Sequence, residues 1–435
     1  MAREQGNFTT PAPNNRDGRA KGAPLDRRKF LGAGSAAFLA AGLAADMRQP
    51  ALRQAQQTGR DKSASDPGPE NRVLSDATPN TFTPPPTDHG EVETFWSSFS
   101  VAHRRVQPGG WSRQVTVQDF PISKEIAGVN MRLTPGGVRE LHWHAAAEWA
   151  IMLDGNARIT ALDNDGHSFV KDVAKNDLWF FPTGTPHSIQ GLPPDGSEFL
   201  LVFDDGRFSE GNTTLISDWT RHTPPEVLAK NWGTSEEALR GIYQLPPDGR
   251  YIFQAAVPPP LEGDVRAASG SRGASNVAFA FPMSKMSPTR QARFGEVRII
   301  DSRNFPVATA IAAAHVIVKP GGLRELHWHQ NADEWQYYIS GRGRMTVFFN
   351  AAKARTADFA AGDVGYVPRT LGHYVENVGN DDLVFLEMFK ADRFMDLSLS
   401  EWVSNTPPEL VVEHLGLGKE TLAAIPKIKP LITPV

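Results

Sequence analysis

The chain has 435 residues, a formal net charge of −4 and no cysteine. That length supports two domains with cores of their own, and the missing thiols exclude disulfides and thiolate chemistry. The mild acidity, with no basic stripe, argues against nucleic acid as a partner.

The first 45 residues read as an export signal. Asp26-Arg27-Arg28-Lys29-Phe30-Leu31 precedes an uncharged Ala/Gly/Leu stretch from Gly32 to Ala45. A basic region with paired arginines, a weakly apolar run and small residues at its end fit the twin-arginine pattern. The apolar run is too short and too rich in Ala and Gly for a stable membrane anchor, so a cleaved signal and a periplasmic or secreted protein are expected. Cleavage near Ala45 would remove seven Lys/Arg and three Asp/Glu, taking the net charge from −4 to −8. Residues 46–88 are polar and Pro-rich (Thr83-Pro84-Pro85-Pro86), the composition of a linker or a wrapping arm.

Two similar domains follow, expected at 89–262 and 275–430. Arg-Glu-Leu-His-Trp-His occurs at 139–144 and again at 324–329. Each copy is followed by a glutamate (Glu148, Glu334) and, further on, by a third histidine (His187, His373) at a repeat offset of 185–186 residues. Leu-Thr-Pro-Gly-Gly-Val (133–138) matches Val-Lys-Pro-Gly-Gly-Leu (318–323), and Thr-Pro-Pro-Glu recurs at 223–226 and 406–409, each time opening a helix-like stretch. The period is too long for a solenoid unit, so it marks a duplicated domain.

Within each copy, short apolar or alternating runs stand between Gly, Pro, Asn and Asp. In the first they begin at Ala150, Ala157, Asp177 and Phe199; in the second at Gln336, Arg344, Val364 and Leu383. The pattern predicts an all-β chain of two tandem jelly-roll barrels with short flanking helices. His142 and His144, two apart on a strand, share a face and point into the barrel, with Trp143 turned away.

His142, His144, Glu148 and His187 form one candidate metal set, and His327, His329, Glu334 and His373 the other. Structural zinc favours a closed tetrahedron, often with thiolates. A His/Glu set with open positions suits octahedral Mn or Fe; Mn(II) is the expected ion, with Fe second. Arg139 and Arg324 lie three residues before the first ligand. On a regular strand that is the opposite face, unless the Pro-Gly-Gly turn or a bulge re-aims them. Beside a metal, either guanidinium would hold a small carboxylate.

The copies differ after their last strands. From Phe208 to Trp219 is 11 residues, whereas from Phe394 to Trp402 is 8. The extra residues fall at Ser209-Glu210-Gly211-Asn212-Thr213, small and polar like a mobile lid, with one carboxylate to act as acid or base. Glu387, an acid amid apolar residues, is either a site residue with a raised pKa or an outward strand position. Trp143 and Trp328, each between two ligands, could relay electrons or simply pack against neighbouring subunits.

These motifs resemble the cupin superfamily and, within it, the bicupin oxalate decarboxylases, over residues 85–430. The resemblance rests on Gly137, Arg139, His142, His144, Glu148 and Asp154-Gly155, then Asp177, Pro182, Gly184 and His187, with equivalents from Gly322 to Asn377. Asn176 and Thr370 stand where the family has Gly, and Gly191 where it has Asn, which puts turn geometry in question and leaves the ligands intact. The resemblance implies Mn(II) in both barrels, two per chain, with oxalate as substrate and formate and carbon dioxide as products. Dioxygen would be a co-catalyst, and the protein a trimer or hexamer. It makes 209–213 the lid of the N-terminal site, with Gly211-Asn212 in place of the usual Asn and Ser. Glu210 then exchanges a proton with the substrate, Arg139 steadies its carboxylate, and Glu387 and Arg324 are the catalytic candidates of the second barrel. An oxalate oxidase releasing hydrogen peroxide, or a non-enzymatic metal-binding bicupin, are the competing readings.

Overall fold

The computed structural model describes residues 68–434, apart from 248 and 271. The expected signal at 1–45, with most of the linker, lies outside the described residues. The chain is built almost wholly of antiparallel strands arranged as two barrels. In the first, Ala127–Leu133, Glu148–Leu162, Leu178–Phe181 and Ser197–Phe203 face Gly137–Trp143, Ser168–Ala174 and His187–Gly191. In the second, Ala312–Val318, Glu334–Ser340, Asp363–Val367 and Leu383–Phe389 face Gly322–Trp328, Arg342–Phe348, Ala354–Ala360 and His373–Asn377.

Two expectations need correcting. Asp154-Gly155 does not end a strand in the first copy. Gly155 takes a left-handed backbone (φ 73°), and one 15-residue strand bends through it from one sheet to the other. The equivalent stretch in the second copy is split into Glu334–Ser340 and Arg342–Phe348 around Gly341.

Sheet membership also departs from the boundaries expected at 89 and 275. Trp96–Ser98 pairs with Asp363–Val367 of the second barrel, and Ala280–Phe281 pairs with Leu178–Phe181 of the first. Each barrel thus receives a strand from the segment preceding the other. The arm before Trp96 also binds the second barrel. Asn80 Nδ2 donates to Asp358 (2.8 Å), and the Asp88 carboxylate accepts from Thr356 N (3.1 Å) and Oγ1 (2.8 Å).

The strands around 148–152 and 199–203 are buried on both faces. Ala150, Met152, Phe199, Leu201 and Phe203 fill the first barrel. Trp149, Ile151, Leu200 and Val202 join one continuous core with the second. Gly128 belongs to this interface: a Cβ there would lie 2.7 Å from the Trp335 ring. The repeated Thr-Pro-Pro-Glu opens the helices Pro225–Trp232 and Pro408–Leu415, with proline in the first turn and left-handed glycines (Gly233, Gly416) closing them.

The motif departures leave the turns in place. Asn176 and Thr370 hold φ of 67° and 70°, the left-handed backbone that glycine holds at the equivalent Gly362 and Gly184. Gly191 has no room for a side chain, since a Cβ would lie 2.4 Å from the Thr134 carbonyl.

Two outcomes follow from these contacts. Gly128→Val should force the two barrels apart locally and cost about 1–3 kcal/mol, read as a lower urea midpoint. His315 is buried without a partner for Nδ1; burial first, then Arg298, lowers its pKa from 6.5 to about 4, with Glu296 opposing. The folded state therefore takes this proton less readily than the unfolded chain, and stability drains away as pH falls from 6.5 towards 4. His315→Gln should flatten that part of the stability–pH curve by up to ~1.4 kcal/mol per pH unit.

Candidate metal centres

The repeated Arg-Glu-Leu-His-Trp-His sits on the strands Gly137–Trp143 and Gly322–Trp328. Against its neighbour, Arg139 pairs with Ile189 while His142 pairs with His187; Arg324 pairs with Val375 while His327 pairs with His373. Three steps on one strand oppose two on the other, which is a one-residue bulge. The bulge resolves the parity question: it turns each arginine to the side of the histidines, and Arg139 and Arg324 are both buried there.

The ligand atoms of His142, His144, Glu148 and His187 all lie within 4.8 Å of one another, as do those of His327, His329, Glu334 and His373. Each imidazole has its Nδ1 on a backbone carbonyl. In the first barrel His142 uses Glu140 (2.5 Å), His144 uses Ala146 (2.7 Å) and His187 uses Thr185 (2.7 Å). In the second, His327 uses Glu325 (2.6 Å), His329 uses Met395 (2.8 Å) and His373 uses Leu371 (3.1 Å). A proton on Nδ1 leaves the Nε2 lone pair for a metal. The Nε2 atoms of His187, His327, His329 and His373 are buried with no hydrogen-bond partner, as is Glu334 Oε2. Orphaned buried atoms converging on one point are what a metal ion would satisfy. Burial, and then the adjacent arginine, holds His142 and His327 well below the usual imidazole pKa, so both are neutral ligands. Burial would raise the Glu148 carboxyl, but His187 and His144 outweigh it and keep it ionised. His373 and His329 do the same for Glu334.

The second oxygen of each glutamate is fixed by a different device. Trp179 Nε1 donates to Glu148 Oε1 (3.0 Å). In the second barrel Gln336 Nε2 donates to Glu334 Oε1 (2.7 Å), and Gln336 Oε1 accepts in turn from Tyr338 OH (2.7 Å). The repeat aligns Trp179 with Gly365 and Gln336 with Ala150. The donor has moved to a neighbouring strand, and the small residue beside it makes room: a Cβ on Gly365 would lie 2.8 Å from Gln336 Oε1.

The arginines meet opposite fates. Arg324 is enclosed by Glu387 (Nε–Oε1 2.9 Å) and Asp396 (Nη2–Oδ2 2.9 Å), and all three side chains are under 10% exposed. Glu387 therefore points inward as a partner of Arg324, and its outward alternative falls away. Leu201 occupies the matching position in the first barrel. Arg139 has no carboxylate partner among the described residues. Its guanidinium lies 3.9 Å from the Tyr251 ring centre, and Nη1 reaches the Tyr251 carbonyl at 3.5 Å.

Glu210 joins this site from a single turn, Glu210–Asn212. Its carboxylate accepts from Ser112 Oγ (3.0 Å) and from Tyr251 OH. Arg139, His142, His144, Glu148, Glu210 and Tyr251 line one cavity of about 10 Å³, closed elsewhere by Val129, Met131, Leu201, Phe203 and Phe208. That is room for one water-sized molecule. Burial, and then Glu210, raises Tyr251, so its phenol keeps its proton and donates it.

Tyr251, Ser112 and Glu140 were not singled out from the sequence. Glu140 accepts from the backbone N–H of Ser217 (2.8 Å), Arg250 (2.9 Å) and Tyr251 (3.0 Å), seating Tyr251 with φ at 52°. Leu431 (φ 57°) is its counterpart in the second barrel. The available signal was the second letter of the repeated motif, a buried glutamate in both copies. Trp143 and Trp328 face away from the ligands and meet Trp219 and Trp402 edge-on at 5.4 and 5.7 Å.

Fold and sites together define a two-domain metal-binding cupin. The Cupin family profile matches residues 98–240 and 282–423. The chain is 49% identical to oxalate decarboxylase OxdC of Bacillus subtilis over 85% of this chain and 94% of that protein. It is 41% identical to a probable oxalate decarboxylase of Arthroderma benhamiae, over 80% and 85% respectively. A solved structure of the B. subtilis oxalate decarboxylase, from work assigning its Mn(II) centres, superposes with a TM-score of 0.81 at 47% identity, covering 84% of this chain and 96% of that one. The chain belongs to the cupin family, among the bicupin oxalate decarboxylases.

Trp179→Phe removes the donor to Glu148 and should weaken metal binding in the first barrel by about 10–100-fold. The second barrel should be unaffected; a Mn(II) titration against a competing chelator resolves the two.

Proposed function

We propose that this chain decarboxylates oxalate to formate and carbon dioxide, chiefly in the N-terminal barrel, with Mn(II) in both His₃Glu sites. The observation carrying this reading is the contrast between the two arginines. Arg139 has no carboxylate partner among the described residues and shares a chamber with three metal ligands (His142, His144 and Glu148) and the carboxylate of Glu210. Arg324, at the same place in the repeat, is already neutralised by Glu387 and Asp396.

The balanced reaction is HC₂O₄⁻ → HCO₂⁻ + CO₂, a proton moving from oxygen to carbon with no net redox change. With dioxygen as co-catalyst, bound Mn(II) would supply one-electron chemistry that lets the C–C bond part without an unstabilised carbanion. Arg139 holds a substrate carboxylate through charge-assisted bonds and offsets charge developing on it. Glu210 takes the substrate proton and returns it to carbon. Ser112 and Tyr251 keep its carboxylate at the chamber wall. Val129, Met131, Leu201, Phe203 and Phe208 exclude water, which favours protonation of carbon over release of peroxide. The 10 Å³ chamber is too small for oxalate, so the 209–213 turn must move for substrate to enter, as a lid does.

Two wider expectations belong to the same reading. The paired arginines Arg27-Arg28 and the apolar run after them support export by the twin-arginine route. Among the described residues no helix is long and apolar enough to cross a membrane. Assembly as a trimer or hexamer is supported by the helices 225–232 and 408–415, which leave Val227, Trp232, Leu410 and Leu415 about half exposed.

Mn-loaded protein given oxalate at mildly acidic pH under air should yield mostly formate, with little hydrogen peroxide. Mostly peroxide would make the chain an oxidase, and neither product would sink the oxalate reading. Glu210→Ala should lower formate output by about 10²–10⁴-fold with metal content unchanged. Glu387→Gln should cost less activity than Glu210→Ala; a larger loss would move the chemistry to the second barrel.

A further inference from the structure

The N-terminal metal chamber has an antechamber. A second cavity of about 320 Å³ lies on the outer side of Glu210, lined by His103, Arg105, Ser112, Arg113, Gln114 and the lid residues Ser209–Gly211 among others. Glu210, whose carboxylate accepts from Ser112, thus forms the partition: it lines both the small inner chamber and the larger outer one. The outer cavity has the volume for a small dicarboxylate, whereas the inner one in this arrangement does not.

Its basic groups are held ready. Arg105 places its guanidinium carbon 3.9 Å from the centre of the Tyr251 ring, the same distance as Arg139. Two like charges that close to one centroid avoid each other only on opposite faces, so they bracket the ring. The stack Arg105–Tyr251–Arg139 therefore leads from the outer cavity to the inner one. Arg113 is fixed by Nε to Asn130 Oδ1 (3.0 Å) and Nη1 to the Phe99 carbonyl (2.9 Å), which leaves Nη2 unengaged. Neither Arg105 nor Arg113 has a carboxylate within ion-pair distance among the described residues. Besides Glu210, the one carboxylate in the wall is Asp119, turned onto Thr116 N and Oγ1 (3.4 Å each).

We propose that this outer cavity is a staging site, in which Arg105 and Arg113 hold a small dicarboxylate anion before Glu210 swings aside and Arg139 receives it. Fixed, unpaired guanidiniums match a carboxylate's geometry and raise its local concentration at the door. The site deepens the oxalate reading and rests on it.

Steady-state formate production by Mn-loaded Arg105→Gln, Arg113→Gln and the double variant, at low and high ionic strength, tests it. Each single change should lower kcat/KM at low salt by about threefold to tenfold, mainly through KM. The double variant should show a shallower fall of kcat/KM with added salt. Arg104→Gln, whose guanidinium lies over Trp111 and does not line the cavity, is the control and should match the wild type. Unchanged KM and salt dependence in both variants would overturn the proposal. So would a loss confined to kcat with a raised peroxide fraction in Arg105→Gln alone, which would mean that Arg105 only props Tyr251. Absence of formate from the wild type would sink the oxalate reading and the staging site together.

Discussion

One extra residue in each of two strands decides what these barrels can do. Without the bulge between Arg139 and His142, or between Arg324 and His327, strand parity would send the guanidinium to the face away from the ligands. A His₃Glu set alone binds a metal. Adding a cation inside the same wall makes it a place where a metal-bound carboxylate can also be gripped at its other end. The bulge also takes Glu140 and Leu141 out of register with the neighbouring strand. Glu140 collects three backbone donors from remote segments and so seats Tyr251.

From this shared frame the two copies diverge by exchanging charges. Leu201 in the first barrel stands where Glu387 stands in the second, and Glu210 and Asp396 both follow the phenylalanine that packs on the middle histidine. A buried guanidinium must be compensated. In the second barrel fixed protein carboxylates do this through Nε and Nη2, and Lys429 in turn meets Asp396, while Arg324 Nη1 stays buried without a hydrogen-bond partner. In the first barrel the compensation is deferred: Arg139 has only an aromatic face and a long contact to a carbonyl. Both copies retain every metal ligand, so what separates them is whether the arginine beside the ligands already has carboxylate partners.

Much of this was legible in the sequence, and the limits have physical causes. All eight ligands were readable because they cluster in short, repeated text whose spacing is tied to strand geometry. The segment carrying Glu210 was readable because duplication makes a three-residue insertion visible. The arginines were readable only up to strand parity, since nothing in Arg-Glu-Leu-His announces a bulge. The exchange of Trp96–Ser98 and Ala280–Phe281 between barrels was hidden, because pairing of such short strands is set by packing at the domain interface, where Gly128 admits Trp335. Tyr251 was hidden because its repeat partner is Leu431, and only the backbone conformation and the following isoleucine survive in both.

The hydroxyls around Glu210 fix a carboxylate that sits on a single polar turn. A carboxylate on a loose polar turn would sample solvent and exchange its proton with water. Here two donors, Ser112 on a strand and Tyr251 in the bend just before one, meet its two oxygens, and the phenol is itself wedged between guanidiniums. Any substrate that draws Arg139 towards the metal must disturb that wedge, and any opening of the lid must release both hydroxyls. Substrate grip and lid position are therefore coupled through one aromatic ring. In the proposed reaction that coupling would keep a proton taken by Glu210 beside the carbon that has to receive it.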